Sequence, residues 1–346
     1  MEQYLNDTLG PITKSPKTLK NRVSFLMSIA KQVPNAHDMS FLNKQSIVMK
    51  RVNDSDVQST RLTRLMHVIV ACDAAAPLIH DRVRAFYGRQ VDKVKPKAQA
   101  KQDNNLMTDE HKEKYITLNS LDLLLGQAYI DLFNEYKLKR KVLTKEDIER
   151  LRGMGSRKNL FTFAKGLQEC VLMAAYVWQP AIRNNYGDLH ITKRKTRLST
   201  EKNYLYIGKD GKYTLIMNAY KNAHSMGKQE LEITKEFGSI LTIWLSLLRE
   251  LIGSDPEYPL LYSINAKGDV SHIEATSTVQ RQIPRVAERI FGKPLTINDF
   301  RHIREIAIQS SQEYRFMTIA ERTELHRQLL HGHDVALRYN LLRRDE

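Results

Sequence analysis

The chain has 346 residues, 42% of them hydrophobic, more than one ordinary compact domain holds and enough for two cores. Its two cysteines, Cys72 and Cys170, are too few for a disulfide framework or a cysteine-based zinc site, and they read as idle thiols of a reducing compartment. The net charge of +15, densest in the first third, favours a polyanionic partner, most simply nucleic acid. No stretch reads as the run of about 18 apolar residues that a membrane span needs. The first residues, MEQYLNDTLGPITK, lack the apolar centre of a secretory signal. The expectation is an intracellular protein without a membrane segment.

The first third reads as helices. Ser15 can cap a helix over SPKTLKNRVSFLMSIAKQV, with Pro16 at its first position and Leu19, Val23, Leu26, Met27 and Ala30 at helical spacing. LNKQSIVMKRV, DSDVQSTRLTRLMHVIVACDAAA and Leu78 to Val91 give three more. The polar, basic stretch around Lys93 to Asn104 reads as an interdomain linker, with Lys93, Lys95, Lys97 and Lys101 of one sign. The expected division is a helical domain at 1–96, a linker at 97–108 and a second domain at 109–346.

The second part opens with the amphipathic helix LNSLDLLLGQAYIDLFNEYKL and the apolar helix KNLFTFAKGLQECVLMAAYVWQ, which Pro180 ends. NYLYIG and KYTLIMNAY are strands joined by the turn GKDG, and KQELEIT is a third strand after the loop KNAHSMG. Helices resume at FGSILTIWLSLLRELIG, Val279 to Phe291, Asn298 to Glu313, and Thr318 to Leu330. The fold class is therefore mainly α with a small antiparallel sheet. Cys170, Trp178 and Trp244 read as core.

Four segments carry residues suited to breaking a phosphodiester. PAIRNNYGDLHI places Arg183 after an apolar helix end, and TINDFRHIRE places Arg301 near the start of a helix. Planar guanidinium forks suit a phosphate whose non-bridging oxygens gain charge. AYKNAHSMGKQ offers Lys221, a proton donor for a leaving oxygen. HRQLLHGHDVALRYN holds His331 and His333 before Tyr339, a nucleophile that can store the bond energy as a phosphotyrosyl ester.

This order of Arg183, Lys221, an Asn-x-x-Arg box at Asn298 and Arg301, a histidine, and Tyr339 resembles the catalytic set of tyrosine recombinases, or phage-type integrases. AIRNNYGDLHI is similar to the first arginine box, NDFRH to the H-x-x-R box, and LLHGHDVALRY to the box ending in the nucleophile. MNAYKNAHSMGKQELEI and PAIRNNYGDL look closest to integrases of large DNA viruses, virophages and self-synthesising transposons. The resemblance spans nearly the whole chain. It implies a helical core-binding domain followed by an α+β catalytic domain, and site-specific recombination of double-stranded DNA through a 3′-phosphotyrosyl intermediate. It implies four protomers on two DNA sites and neither cofactor nor metal. Arg183 and Arg301 would hold the phosphate with His331, and Lys221 would protonate the leaving oxygen. The same chemistry also serves telomere resolvases and type IB topoisomerases, and a DNA-binding protein of this fold without catalysis is the other alternative.

The sequence departs from the family pattern in three places. Asn298 stands where the box has histidine; it can bond a phosphate oxygen but donates no proton as an acid. Tyr186 stands where an acid is common, with Asp188 the nearest carboxylate. His331 and His333 compete for the histidine position. A purely structural interpretation pairs Arg183 with Asp188, spreads Arg301, His302 and Arg304 over a solvated helix face, and uses Tyr339 to pack the tail.

Overall fold

A computed structural model describes residues 1–339 except 14, 104–106, 140–141, 154–156, 254–256, 266–267, 274–275, 333–334 and 337–338. The chain forms two compact units, Met1–Asn105 and Leu106–Glu346.

The first unit is helical: α1 (Glu2–Leu9), α2 (Pro16–Ala30), α3 (Gln45–Asn53), α4 (Gln58–Ala74) and α5 (Asp81–Asp103). Ser15 caps α2 through the Thr18 amide, with Pro16 at the first position, as expected. Leu26, Ile29, Val48, Leu65, Val68 and Tyr87 close the core. The segment read as a linker is helical as far as Asp103: its alanines and long basic side chains favour a helix, and Val91 and Val94 pack against the unit's core while Ala98 is buried. Pro96 lies inside that helix.

The second unit begins with α6 (Asp109–Lys114), α7 (Leu118–Glu135), α8 (Lys145–Gly153) and α9 (Arg157–Val177). Residues 159–177 of α9 are long and apolar enough to cross a membrane, which the reading of the sequence above did not allow. Most of that stretch is buried in the unit, where Phe163, Leu167, Met173 and Tyr176 are covered, so its apolarity belongs to the core. Strands β1 (Leu189–Thr192), β2 (Asn203–Ile207) and β3 (Tyr213–Met217) follow, then the short α10 (Ala223–Met226), β4 (Gln229–Glu232) and α11 (Lys235–Ile252). The segments β5 (Glu257–Pro259), β6 (Tyr262–Ile264) and β7 (Val270–His272) precede α12 (Thr276–Phe291), α13 (Ile297–Ser310), α14 (Gln312–Phe316) and α15 (Ile319–Arg327).

The unit is mainly helical with a small sheet. The sheet runs β4-β3-β2-β1-β5 and is mixed, because β1 lies parallel to β2 while the other pairs are antiparallel; β6 and β7 form a separate pair. The GKDG turn closes β2 onto β3 with Gly211 at φ +79°, a conformation that suits glycine. Trp244 of α11 is fully buried and donates to the Leu260 carbonyl, whereas Trp178 is only half-buried and bonds Asp122. Burial pushes both cysteine thiols up to about 12, which keeps them protonated and unreactive.

Candidate active site

Helix α13 is the platform. Thr296 and Asp299 form a reciprocal capping box at its start, satisfying two amides that the helix leaves free. Phe300 anchors it, packed 5.5 Å from the Tyr176 ring and 5.9 Å from Phe291. Arg301 and Glu305, four residues apart, share one face. Asn298 and His302, also four apart, share the neighbouring one. The solvated-face interpretation fails here: Arg301 is 1% exposed, and Arg304 is half-buried with its guanidinium on the Val177 and Gln179 carbonyls at the end of α9.

Arg301 is tied down at several points. Its Nη1 donates to the Ala181 carbonyl at 2.8 Å and the Leu329 carbonyl at 3.4 Å, and its Nη2 donates to His331 Nδ1. Its Nε has no partner among the described residues. Burial lowers its pKa, and Tyr339 opposes that effect by charge and hydrogen bonding. The Tyr339 ring lies with its centroid 4.8 Å from the Arg301 guanidinium carbon and stacks on His331 at 5.4 Å and 15°. His302 Nδ1 donates to the Tyr339 main-chain carbonyl at 2.8 Å.

Arg183 stands two residues beyond Ala181, whose carbonyl Arg301 holds, and is close enough for its charge to act on Arg301. The segment around it is fixed by its neighbours. Tyr176 donates to the Arg183 carbonyl, Asn184 to the Thr276 carbonyl, and Asn185 to the Ala219 carbonyl. The half-buried Arg183 side chain also leaves its Nε without a partner among the described residues. Asp188 bonds Asn203 at 3.2 Å, and among the described residues no ion pair joins it to Arg183. Tyr186 is buried and donates to the Pro180 carbonyl, a structural use.

Lys221 is exposed, one residue before Asn222, which donates to the Leu330 carbonyl at 3.2 Å. Asn203 accepts from the Asn218 and Ala219 amides and so shapes the lysine's turn. The structure thus brings Arg301, His331 and Tyr339 into contact, with the Arg183 segment and the Lys221 turn tied to the same group. Asn298 is exposed, and its amide pairs at 3.1 Å with His302, which itself bonds the Tyr339 carbonyl. His333 lies outside the described residues.

Two residues here were not singled out in the sequence. Glu305 is fully buried; its Oε1 accepts from His331 Nε2 at 2.7 Å and His326 Nδ1 at 3.1 Å, and its Oε2 from Gln309 at 3.0 Å. Burial alone would raise this carboxyl, but the bonds from His326, His331 and Gln309 outweigh it and hold it at about 2. An acid one helical turn after Arg301 was the available signal. Glu305, His326 and His331 also have the composition of a metal site. Their protonation argues otherwise. An arginine only donates, so His331 Nδ1 must accept, and its proton sits on Nε2; ligating a metal through Nε2 would demand an imidazolate.

No protein-family model matches the chain, and no curated protein matches it. Among solved structures it is similar to one described as "Crystal structure of XerA recombinase", with a TM-score of 0.37 and 11% identity over 99% of this chain and 94% of the other. The chemistry of the site rests on its own geometry.

Proposed function

We propose that the protein is a DNA strand transferase of the tyrosine type, a site-specific recombinase or integrase with Tyr339 as nucleophile. The observation that carries this reading is the Tyr339 ring held against the buried Arg301 guanidinium and the His331 ring, 4.8 and 5.4 Å away. Packing of the Tyr339 ring would not by itself require a buried cation whose Nε lacks an acceptor among the described residues. An incoming phosphate would supply that acceptor, and another for Arg183.

In the proposed reaction the Tyr339 hydroxyl loses its proton to water and attacks phosphorus. The new bond is the 3′-phosphotyrosyl ester, and the bond that breaks is to the 5′ oxygen. Lys221 gives that oxygen its proton, leaving a 5′ hydroxyl. Arg183 and Arg301 neutralise the charge that builds on the non-bridging oxygens. Attack by the 5′ hydroxyl of a second strand reverses each bond change and releases the tyrosine. The helical unit Met1–Asn105 adds duplex contacts, and four protomers assemble on two DNA sites.

The test is a suicide duplex, nicked so that the 5′ fragment diffuses away. The expected result is a covalent adduct that maps to Tyr339 by mass spectrometry and disappears in Tyr339→Phe, which keeps the ring and removes the attacking oxygen. Tyr258→Phe and Tyr262→Phe should still form it. An adduct on another residue, or one that survives Tyr339→Phe, rules the assignment out. Recombinant rather than merely relaxed product then separates a recombinase from a topoisomerase.

A further inference from the structure

Running inward from Arg301 is a buried chain of polar side chains, Arg301, His331, Glu305, His326 and Tyr314, with Gln309 at its side. Every member has a partner. Arg301 donates to His331 Nδ1, His331 Nε2 donates to Glu305, and His326 Nδ1 donates to the same oxygen. The Tyr314 hydroxyl pairs with His326 Nε2 at 2.9 Å, and Gln309 holds the second oxygen of Glu305 and the Ala336 carbonyl. Arg301, Glu305, His326 and His331 are all at most 1% exposed.

Burying a carboxylate so completely is costly. A core that needed only stability would put an apolar side chain here. What the carboxylate does locally is hold a tautomer, from the side of the ring opposite Arg301, which as a pure donor fits the same one. The carboxylate can only accept, so it draws the His331 proton to Nε2. That leaves Nδ1 bare to accept from Arg301, and the guanidinium is held at one edge. Were the proton on Nδ1, it would face an Arg301 N–H, donor against donor.

We infer that Glu305, braced by His326, is a positioning residue: it sets the His331 tautomer and through it the orientation of Arg301 beneath Tyr339. This rests on the strand-transfer reading for its functional consequence, though not for its structural content. Among the described residues, the ionisable groups facing His331 are Arg301 and Glu305 from α13, His326 at the end of α15, and Tyr339. Burial lowers the His331 pKa, the bond to Glu305 raises it, and the charge of Arg301 lowers it.

The experiment uses the full chain with Glu305→Gln, which preserves shape and removes the charge. The first measurement is the imidazole nitrogen NMR spectrum of histidine-labelled protein. Wild type should show His331 neutral with the proton on Nε2; Glu305→Gln should show a mixture of tautomers. The second is single-turnover cleavage of the nicked duplex. The rate should fall about tenfold to a hundredfold, as when a group that orients a metal ligand is lost, with DNA affinity retained. The third is the pH profile. Without Glu305, His331 stays neutral to lower pH, so the acid limb of the rate should move down. His326→Asn retains an N–H donor to Glu305 and should cost less than Glu305→Gln.

A wild-type spectrum with the proton on Nδ1 overturns the inference. So does a Glu305→Gln rate equal to wild type, a rate loss that merely follows unfolding with the acid limb unmoved, or stoichiometric zinc bound to the three side chains. If wild type forms no adduct, the strand-transfer reading fails, and the tautomer spectrum still decides the positioning claim.

Discussion

Arg183 and Arg301 carry the same charge in different surroundings, and the same substitution should separate them. Arg301 is buried and bonds two carbonyls and His331; removing it leaves those acceptors and the Glu305 carboxylate without a cation. Arg301→Ala should therefore lose roughly 3–5 kcal/mol of stability as well as cleavage, the usual consequence of breaking a buried ionic group. Arg183 is half-buried and its Nε has no partner among the described residues, so Arg183→Ala should melt close to wild type while cleavage drops by about a hundredfold or more. Thermal melts read beside single-turnover cleavage check both. Equal stability losses would contradict the contrast. Asp188 allows a second test. Burial lifts its carboxyl to about 6, against 3.8 in an unfolded chain. The folded state thus holds this proton more tightly, so its contribution to stability is full below 3.8, fades as pH rises to about 6, and stays lost above. Asp188→Asn keeps an oxygen for Asn203 and removes the charge. It should raise stability at pH 7–8 by up to about 3 kcal/mol and make no comparable difference near pH 4. A lower melting temperature at pH 7.5 would show that the charge serves a favourable role instead.

At the scale of elements, the site depends on how the Arg183 turn meets α12. A β-carbon on Gly187 would lie 3.1 Å from the Val279 β-carbon, and Val279 is fully buried on that helix. Gly187→Ala should therefore cost roughly 1–3 kcal/mol, as overpacking does. It should also slow cleavage more than the lost stability explains, because the strain falls four residues from Arg183. Urea denaturation and the cleavage assay together test this; an unchanged midpoint would mean that α12 yields freely. The single turn of α10 belongs to the same scale. It converts the lysine loop into a fixed bend, with Tyr220 bonded to the Gly227 carbonyl at 2.6 Å.

At the scale of the molecule, each unit has its own closed hydrophobic cluster, the first from Leu5 to Tyr87 and the second from Leu121 to Leu330. Residues 106–346 produced alone should unfold in one cooperative transition, followed by circular dichroism in urea. A gradual, non-cooperative loss of signal would show that the units depend on one another. If the protein binds duplex DNA as proposed, its +15 charge would make that binding a release of counterions. Affinity measured by fluorescence anisotropy should fall steeply between about 50 and 200 mM salt. The slope should be shallower for residues 106–346, because the first third is the most densely basic. A flat response would count against a phosphate-tracking surface.

Local chemistry made much of this architecture readable. Ser15 and Pro16 announce a helix start, GKDG announces a hairpin, and apolar period marks α7, α9 and α11, because capping, turns and one-sided burial act within a few residues. The strands β1 and β5 to β7 were not legible. They are three or four residues long, too short for alternation to register, and only pairing makes them strands. Of the candidate site, residue types and order were in the sequence, including Arg301, His331 and Tyr339. Which groups are buried was not. Glu305 and His326 look like ordinary surface residues in a polar stretch, and His302 and Arg304 like a charged face. Only the packing of α13 against α9 and the 326–331 turn removes their water. Once dry, each must find a partner, and that requirement, absent from the unfolded chain, assembles the network behind Arg301.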